Sequence, residues 1–133
     1  MAAPNIVNVA TITGVTTYIA GVSTQGALSG AKYQGISTVV TNAASSGKVI
    51  KINSIVAVAV GATTGVTVKL YTEAAGAGAS VAIADTMSVP ENSSLAVISK
   101  ETSLYLEEDK SIAVYKQDAA GDIDVVCSYE DIS

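Results

Sequence analysis

Ser103–Glu130, SLYLEEDKSIAVYKQDAAGDIDVVCSYE, holds seven of the chain's twelve acidic side chains between short runs of alternating apolar residues. Carboxylates at this density can be general acids and bases, ligands for a hard cation, or the wet turns of a β structure. The apolar residues decide among these. Leu104 and Leu106, then Ile112 and Val114, then Ile123, Val125, Cys127 and Tyr129 recur at every second position, the period of a strand with one face on a core. Between them Glu107, Glu108 and Asp109 fall in one tight connection, and Asp118 and Asp122 in the next, with Gly121 available for a positive φ. Carboxylates in such turns are hydrated or bond nearby backbone N–H groups. A catalytic pair needs a cleft and one desolvated member, and DAAGDID lacks the ligand spacing and bidentate Glu of a calcium loop. The stretch therefore predicts strands joined by solvated acidic turns, with no metal and no cofactor.

The same period extends backwards. In KVIKINSIVAVAV, Lys48 to Val60, the even positions Ile50, Ile52, Val56, Val58 and Val60 are expected on one face. The odd positions Val49, Ile55, Ala57 and Ala59 are apolar too, which predicts cover on both sides. GVTVKLY points Val66, Val68 and Leu70 inward and Thr67, Lys69 and Tyr71 outward. SVAIADTMSV groups Val81, Ile83, Met87 and Val89 before stopping at Pro90. SSLAVIS, VTTYIA and ISTVVT read as further strands. GATTG reads as a hairpin connection, TEAAGAGAS as a small-residue loop and GVSTQGALSGAKYQG as a loop or flap. No segment repeats apolar residues at helical spacing between caps. The expectation is all-β: a single antiparallel β-sandwich, jelly-roll or Ig-like, of eight or nine short strands, with residues 1–14 as an N-terminal arm and 15–133 as the sandwich domain.

Composition narrows function. The chain has no His and no Arg, a lone Cys127, and six aromatics that are all Tyr. A Ser-His-Asp site is excluded, the commonest zinc ligand is missing, and so is the bidentate clamp for phosphate. Cys127 lacks a disulfide partner or an activating base and reads as a buried strand residue. Residues 1–66 carry +3 and residues 67–133 carry −8, giving the net −5. That balance argues against a nucleic-acid backbone or an anionic membrane as partner. The apolar run Ile55–Val60 is far short of a membrane span, and the N-terminal residues lack the pattern of a secretion signal. An aromatic sugar platform would have to draw mostly on Tyr18, Tyr33 and Tyr71.

Several segments carry a resemblance. PNIVNV, VVTNAASSGKVIKINSI, SVPENSSLAVISK, LYLEEDKSIAVY and AAGDIDVVCSYEDIS are similar to a family of small virion structural proteins of tailed bacteriophages, notably those of marine cyanobacteria. The likeness covers Ala3–Ile12 and most of Val39–Ser133, and Gly14–Ile36 matches less well. Family members often read LEEGDSL in the acidic turn, where this chain has Asp109 in place of the Gly. The resemblance implies a non-enzymatic β-sandwich on the virion, made in the host cytoplasm. It would be a capsid decoration or cement protein, or alternatively a neck, tail or fibre component with a receptor- or glycan-binding role. The partners it implies are further copies of the chain, as a trimer, and other virion proteins such as the major capsid protein.

The first thirty-one residues carry no charged side chain, unlike an exposed free tail. NIVNVATIT alternates, as a strand laid against neighbours does. Ala2–Ile12 is therefore expected to be an anchoring arm, with Ala2, Pro4, Ile6, Val7, Val9 and Ile12 as its contact residues.

Overall fold

The structure, a computed structural model, describes residues 10–22, 24, 28–29, 32–33, 37–117 and 121–133. Its strands are β1 (Ile12–Ile19), β2 (Leu28–Ser29), β3 (Lys32–Tyr33), β4 (Ser37–Asn42), β5 (Val49–Val60), β6 (Thr64–Glu73), β7 (Ala77–Val89), β8 (Ser94–Ile98), β9 (Leu104–Leu106), β10 (Lys110–Lys116) and β11 (Asp122–Ile132). The helical pieces among the described residues are two 3-10 turns, Ala74–Gly76 and Lys100–Thr102.

The main strands pair as the two halves of one long antiparallel hairpin. β1 pairs with β11, β4 with β10, β5 with β8 and β9, and β6 with β7 at the closed end. Rolling that ribbon gives sheet A, ordered β1-β11-β5-β8, over sheet B, ordered β4-β10-β6-β7. This is the jelly-roll order, so of the two sandwich types expected it is the one adopted. The open end closes on itself, with the Ala10 and Thr11 N–H groups donating to the Ser133 carbonyl at 2.9 and 3.0 Å.

This topology corrects the turn reading. Gly61–Thr63 and Glu107–Asp109 are not hairpin connections within a sheet, since each carries the chain from one sheet to the other, and the successive strands β10 and β11 likewise belong to different sheets. The tight hairpin is at Ala74–Gly76, and Ala77–Ser80, expected in a loop, begin β7. Asp118, Ala119 and Ala120 lie outside the described residues.

The core lies between the sheets: Ile52, Ile55, Val66, Val68, Ile98, Leu106, Ile112, Val114, Ile123 and Val125 are all buried there. β5 departs from the expected alternation. Ile50 and Ile52 face the core, but so do Ile55, Ala57 and Ala59, while Val56, Val58 and Val60 point outward. The cause is a bulge against β11, where Tyr129 pairs with Ile52 and Ser128 with Ser54, leaving Asn53 over. One extra residue exchanges the faces of everything after it.

Two further expectations are overturned on sheet B. Tyr71 points away from the core as read, yet it is buried, together with Thr67, Ser111, Ala113 and Tyr115 on that outer face. Part of the cover is the 3-10 turn, which packs back onto β4 and β10. Val81, Ile83, Met87 and Val89, expected together on one face, part company: Val81 and Met87 are exposed and Val89 is buried, along an edge strand whose ladder with β6 has three register shifts.

Candidate functional site

Within the acidic turn Glu107–Asp109, the Asp109 carboxylate is bonded to backbone. At the tip of the rolled hairpin three consecutive N–H groups are each taken by a side chain. Ala74 N–H donates to Asp109 Oδ1 at 3.1 Å, Ala75 N–H to Thr41 Oγ1 at 3.0 Å and Gly76 N–H to Ser111 Oγ at 2.8 Å. Ser111 Oγ also donates to the Glu73 carbonyl at 2.8 Å. Successive N–H groups around a left-handed residue (Ala75, φ 58°) make an anion-binding concavity, and here the chain's own oxygens fill it. Asp109 itself has φ 58°, a region that Asp is among the few non-glycine residues to visit.

Three further carboxylates are engaged. Asp124 Oδ1 accepts from Gly21 N–H at 2.8 Å, Asp122 lies 3.5 Å from Lys116 Nζ, and Asp131 pairs with Lys48 at 3.1 Å. Glu108 differs from these: both its carboxylate oxygens are shut from solvent without a hydrogen-bond partner. No group of three or more metal-ligating side chains occurs among the described residues. Cys127 is fully buried, and burial pushes its thiol up to about 11. A thiol in that setting is inert. Tyr129 beside it is also raised, by burial first and then by the charges of Asp131 and Cys127, against a lowering from Lys48.

What the fold does present is surface. Among the described residues five of the seven exposed large apolar side chains lie on the outer face of sheet A: Ile12, Tyr18, Val60, Tyr105 and Val126. The register aligns Tyr18 with Val126, Val126 with Val56 and Val56 with Ala96. They form one apolar row across all four strands, about 14 Å long at the usual strand spacing. Thr16, Ser128 and Ser54 make a polar row on one side, and Asp124, Val58 and Ser94 line the other. Along this row Tyr18, Val126 and Ala96 are exposed and Val56 is half-buried. The row exists because the Asn53 bulge turns Val56 and Val58 outward.

Of the arm residues, Ile12 opens β1, opposite Ile132, and is 57% exposed. Ala2, Pro4, Ile6, Val7 and Val9 lie outside the described residues. The proposed tyrosine trio is not assembled: Tyr18 is 73% exposed but Tyr71 is buried. The sequence reading missed Thr41, Ser111, Asn42 and the outward row. Asn42 is buried and its Nδ2 donates to the carbonyls of Lys48 and Leu106, holding the crossover from β4 to β5. TNAASSGK could have signalled this role, since an Asn just after apolar strand residues and before a Gly commonly bonds local backbone.

No family model matches the chain, and no curated protein matches it. Among solved structures it is similar to a protein of the Bacillus endospore appendages, described as a family of disulfide-linked pili, at 15% identity and a TM-score of 0.49. That match covers 92% of this chain and 88% of the other.

Proposed function

We propose that this protein is a non-catalytic structural subunit of a tailed-phage virion, a capsid decoration or cement protein that works by contacts between subunits. The observation that carries the reading is the apolar row on sheet A: a jelly roll with its sites filled by its own side chains still leaves a band of Tyr18, Val126, Val56 and Ala96 in the open. The buried thiol and the structurally bonded carboxylates support the same reading, as does the family resemblance of the turn segments. In it the arm, Ala2 to Ile12, ties each subunit to its neighbours, and the partners are further copies, as a trimer, and the major capsid protein. The neck, tail or fibre alternative rests on exposed Tyr18 and Tyr105. They stand on different register rows of sheet A, Tyr105 opposite Lys51 and Tyr18 opposite Val126, which is a poor arrangement for stacking one sugar.

The test is a denaturing gel of purified particles from cells infected with the parent phage. A decoration protein gives a heavy band near the major capsid protein, and a fibre-tip binder gives a faint one. Absence from particles overturns the proposal. Adding Val126→Lys protein to particles stripped of the subunit then separates face from fold: it is expected to fold with the parent circular dichroism spectrum but not to reload.

A further inference from the structure

The two main sheets end on β1 and β8 in sheet A and on β4 and β7 in sheet B. The ladders of β4, β7 and β8 each carry a register shift, whereas β1 pairs with β11 without a break from Ile12 to Ile19. Bulges, lysines and prolines are what normally keep an edge from pairing. β1 has none of the three, since its sequence, ITGVTTYI, is free of charge and of proline. β4 packs behind it from the facing sheet without joining its ladder, and among the described residues no strand pairs with its outer edge.

The β1–β11 ladder fixes which groups that edge presents. Thr11 and Ser133 exchange both N–H···O bonds, at 3.0 Å each way. In an antiparallel pair, residues that bond inward in this way alternate with residues that bond outward. Counting on from Thr11, the residues Thr13, Val15, Thr17 and Ile19 bond to β11, and Ile12, Gly14, Thr16 and Tyr18 turn N–H and C=O to the open side. The same four are exposed, Ile12 at 57% and Tyr18 at 73%.

We propose that this edge pairs with the same edge of a second copy, antiparallel, about a two-fold axis at Val15. The sequence selects both the partner and the register. Gly14 and Thr16 flank Val15 directly, and Ile12 and Tyr18 lie at equal distances beyond them. Pairing about Val15 therefore sets Ile12 opposite the partner's Tyr18 and Gly14 opposite the partner's Thr16, outward-bonding residue against outward-bonding residue. A shift by one residue would set outward groups against inward ones, and a shift by two would part Tyr18 from Ile12. In register, each Tyr18 ring meets an Ile12 across the strands, a favourable aromatic and β-branched pair made twice. These two side chains are the most exposed of the large apolar ones on the outer face of sheet A. Charge agrees: β1 brings none to the axis, and Glu130 and Asp131 on β11 are matched by Lys51 and Lys48. Sheet A then runs through both subunits, and the apolar row continues from Tyr18 to the partner's Ile12. The contact is isologous and closes on two subunits. It goes beyond the proposed function by adding a two-fold contact, so that a trimer formed through another face would become a hexamer.

The experiment sizes full-length protein by light scattering at micromolar concentration, with circular dichroism on every variant. Thr16→Pro removes an N–H that points to the open edge, where a strand tolerates proline. Tyr18→Lys removes the cross-strand pair at a position already exposed, and carries the test if Thr16→Pro fails to fold. Val126→Lys, on the same row but one strand in from the edge, is the control. The parent is expected to be a dimer, or a hexamer where the trimer also forms, with either halved by Thr16→Pro and by Tyr18→Lys and unchanged in Val126→Lys. Val15→Cys, with buried Cys127 left in place, is expected to give a covalent dimer under mild oxidation. Residues facing each other at such an axis stand about 4.5 Å apart between Cα atoms, within the range of a disulfide. A parent that is a monomer or a trimer overturns the proposal. So does an assembly that Tyr18→Lys leaves intact, that Val126→Lys dissociates equally, or that Val15→Cys does not cross-link. Each of these failures leaves the gel of purified particles, and with it the proposed function, to be decided separately.

Discussion

Asp109 provides the sharpest check on how the acidic stretch is read. If its carboxylate were only a hydrated turn residue, replacing it would change stability by no more than about 0.5 kcal/mol. The structure gives it two tasks, accepting from Ala74 N–H and holding φ at 58° in the crossing from β9 to β10. Asp109→Ala loses a hydrogen bond to a charged acceptor, about 1.5–3 kcal/mol at full burial and less in this half-buried site. It also puts Ala in the left-handed region at a cost of about 1 kcal/mol. Together these predict a loss of about 2–3 kcal/mol. Asp109→Gly removes the bond but relieves the backbone, and Asp109→Asn keeps both an acceptor oxygen and tolerance of positive φ, so each should cost about 1 kcal/mol or less. Glu107, exposed in the same turn, serves as control, with Glu107→Gln expected within about 0.5 kcal/mol of the parent. The assay is urea unfolding followed by tyrosine fluorescence and circular dichroism, with unchanged m-values confirming that only stability moved. Asp109→Ala as stable as Glu107→Gln would refute the argument, and so would Asp109→Gly less stable than Asp109→Ala.

Deleting Asn53 should be tolerated at about 1 kcal/mol, because Ile52, Ser54 and Ile55 then alternate without a break against Tyr129, Ser128 and Cys127. Deleting Ala57 should instead cost several kcal/mol, by turning either Val58 and Val60 or the isoleucines to the wrong face; equal losses in denaturant unfolding would disprove the bulge assignment. The third prediction concerns Cys127, whose thiol rises from 9.0 to about 11. The unfolded state gives up its proton first, so stability should be constant below pH 9, fall by up to about 1.4 kcal/mol per unit between pH 9 and 11, and level off above. Raised Tyr129 adds in the same direction above pH 10. Cys127→Ala should flatten the pH 9–10 part of the profile, and an unchanged slope in that variant would sink the assignment.

The sequence showed the strands plainly and the sheets poorly. Ile112, Val114, Ile123, Val125 and Cys127 alternate with smaller or polar residues, and all five are buried as read. β5 was misread because its apolar residues fall on both faces; the adjacent polar pair Asn53-Ser54, which interrupts the alternation, was the local mark of the phase change. Connections were misread because a tight acidic turn between two strands looks the same whether the second strand returns beside the first or crosses to the opposite sheet. Only long-range pairing, such as Ser111 with both Thr41 and Tyr71, distinguishes them. The clamp on Ala74–Gly76 draws on residues 41, 109 and 111, and no local pattern could have joined these.

The two outer faces differ in a way that bears on assembly. On sheet B the chain covers itself: Tyr71, Ser111, Ala113 and Tyr115 are buried, and the hairpin tip is fastened down by Thr41, Asp109 and Ser111. On sheet A, Tyr18, Val126 and Val60 remain open. Charge lies beside the apolar row on the same sheet, with Asp124 accepting from Gly21 N–H and Glu130 opposite Lys51. Keeping valine outward in β5 also requires a bulge in the middle of a core strand. In unbroken alternation from Ile50 and Ile52, Val56 and Val58 would turn inward and Ile55 outward, so the bulge is also what brings Ile55 into the core. The one extra residue thus sets both faces of β5 at once, with Ile50, Ile52 and Ile55 inside and Val56 and Val58 outside.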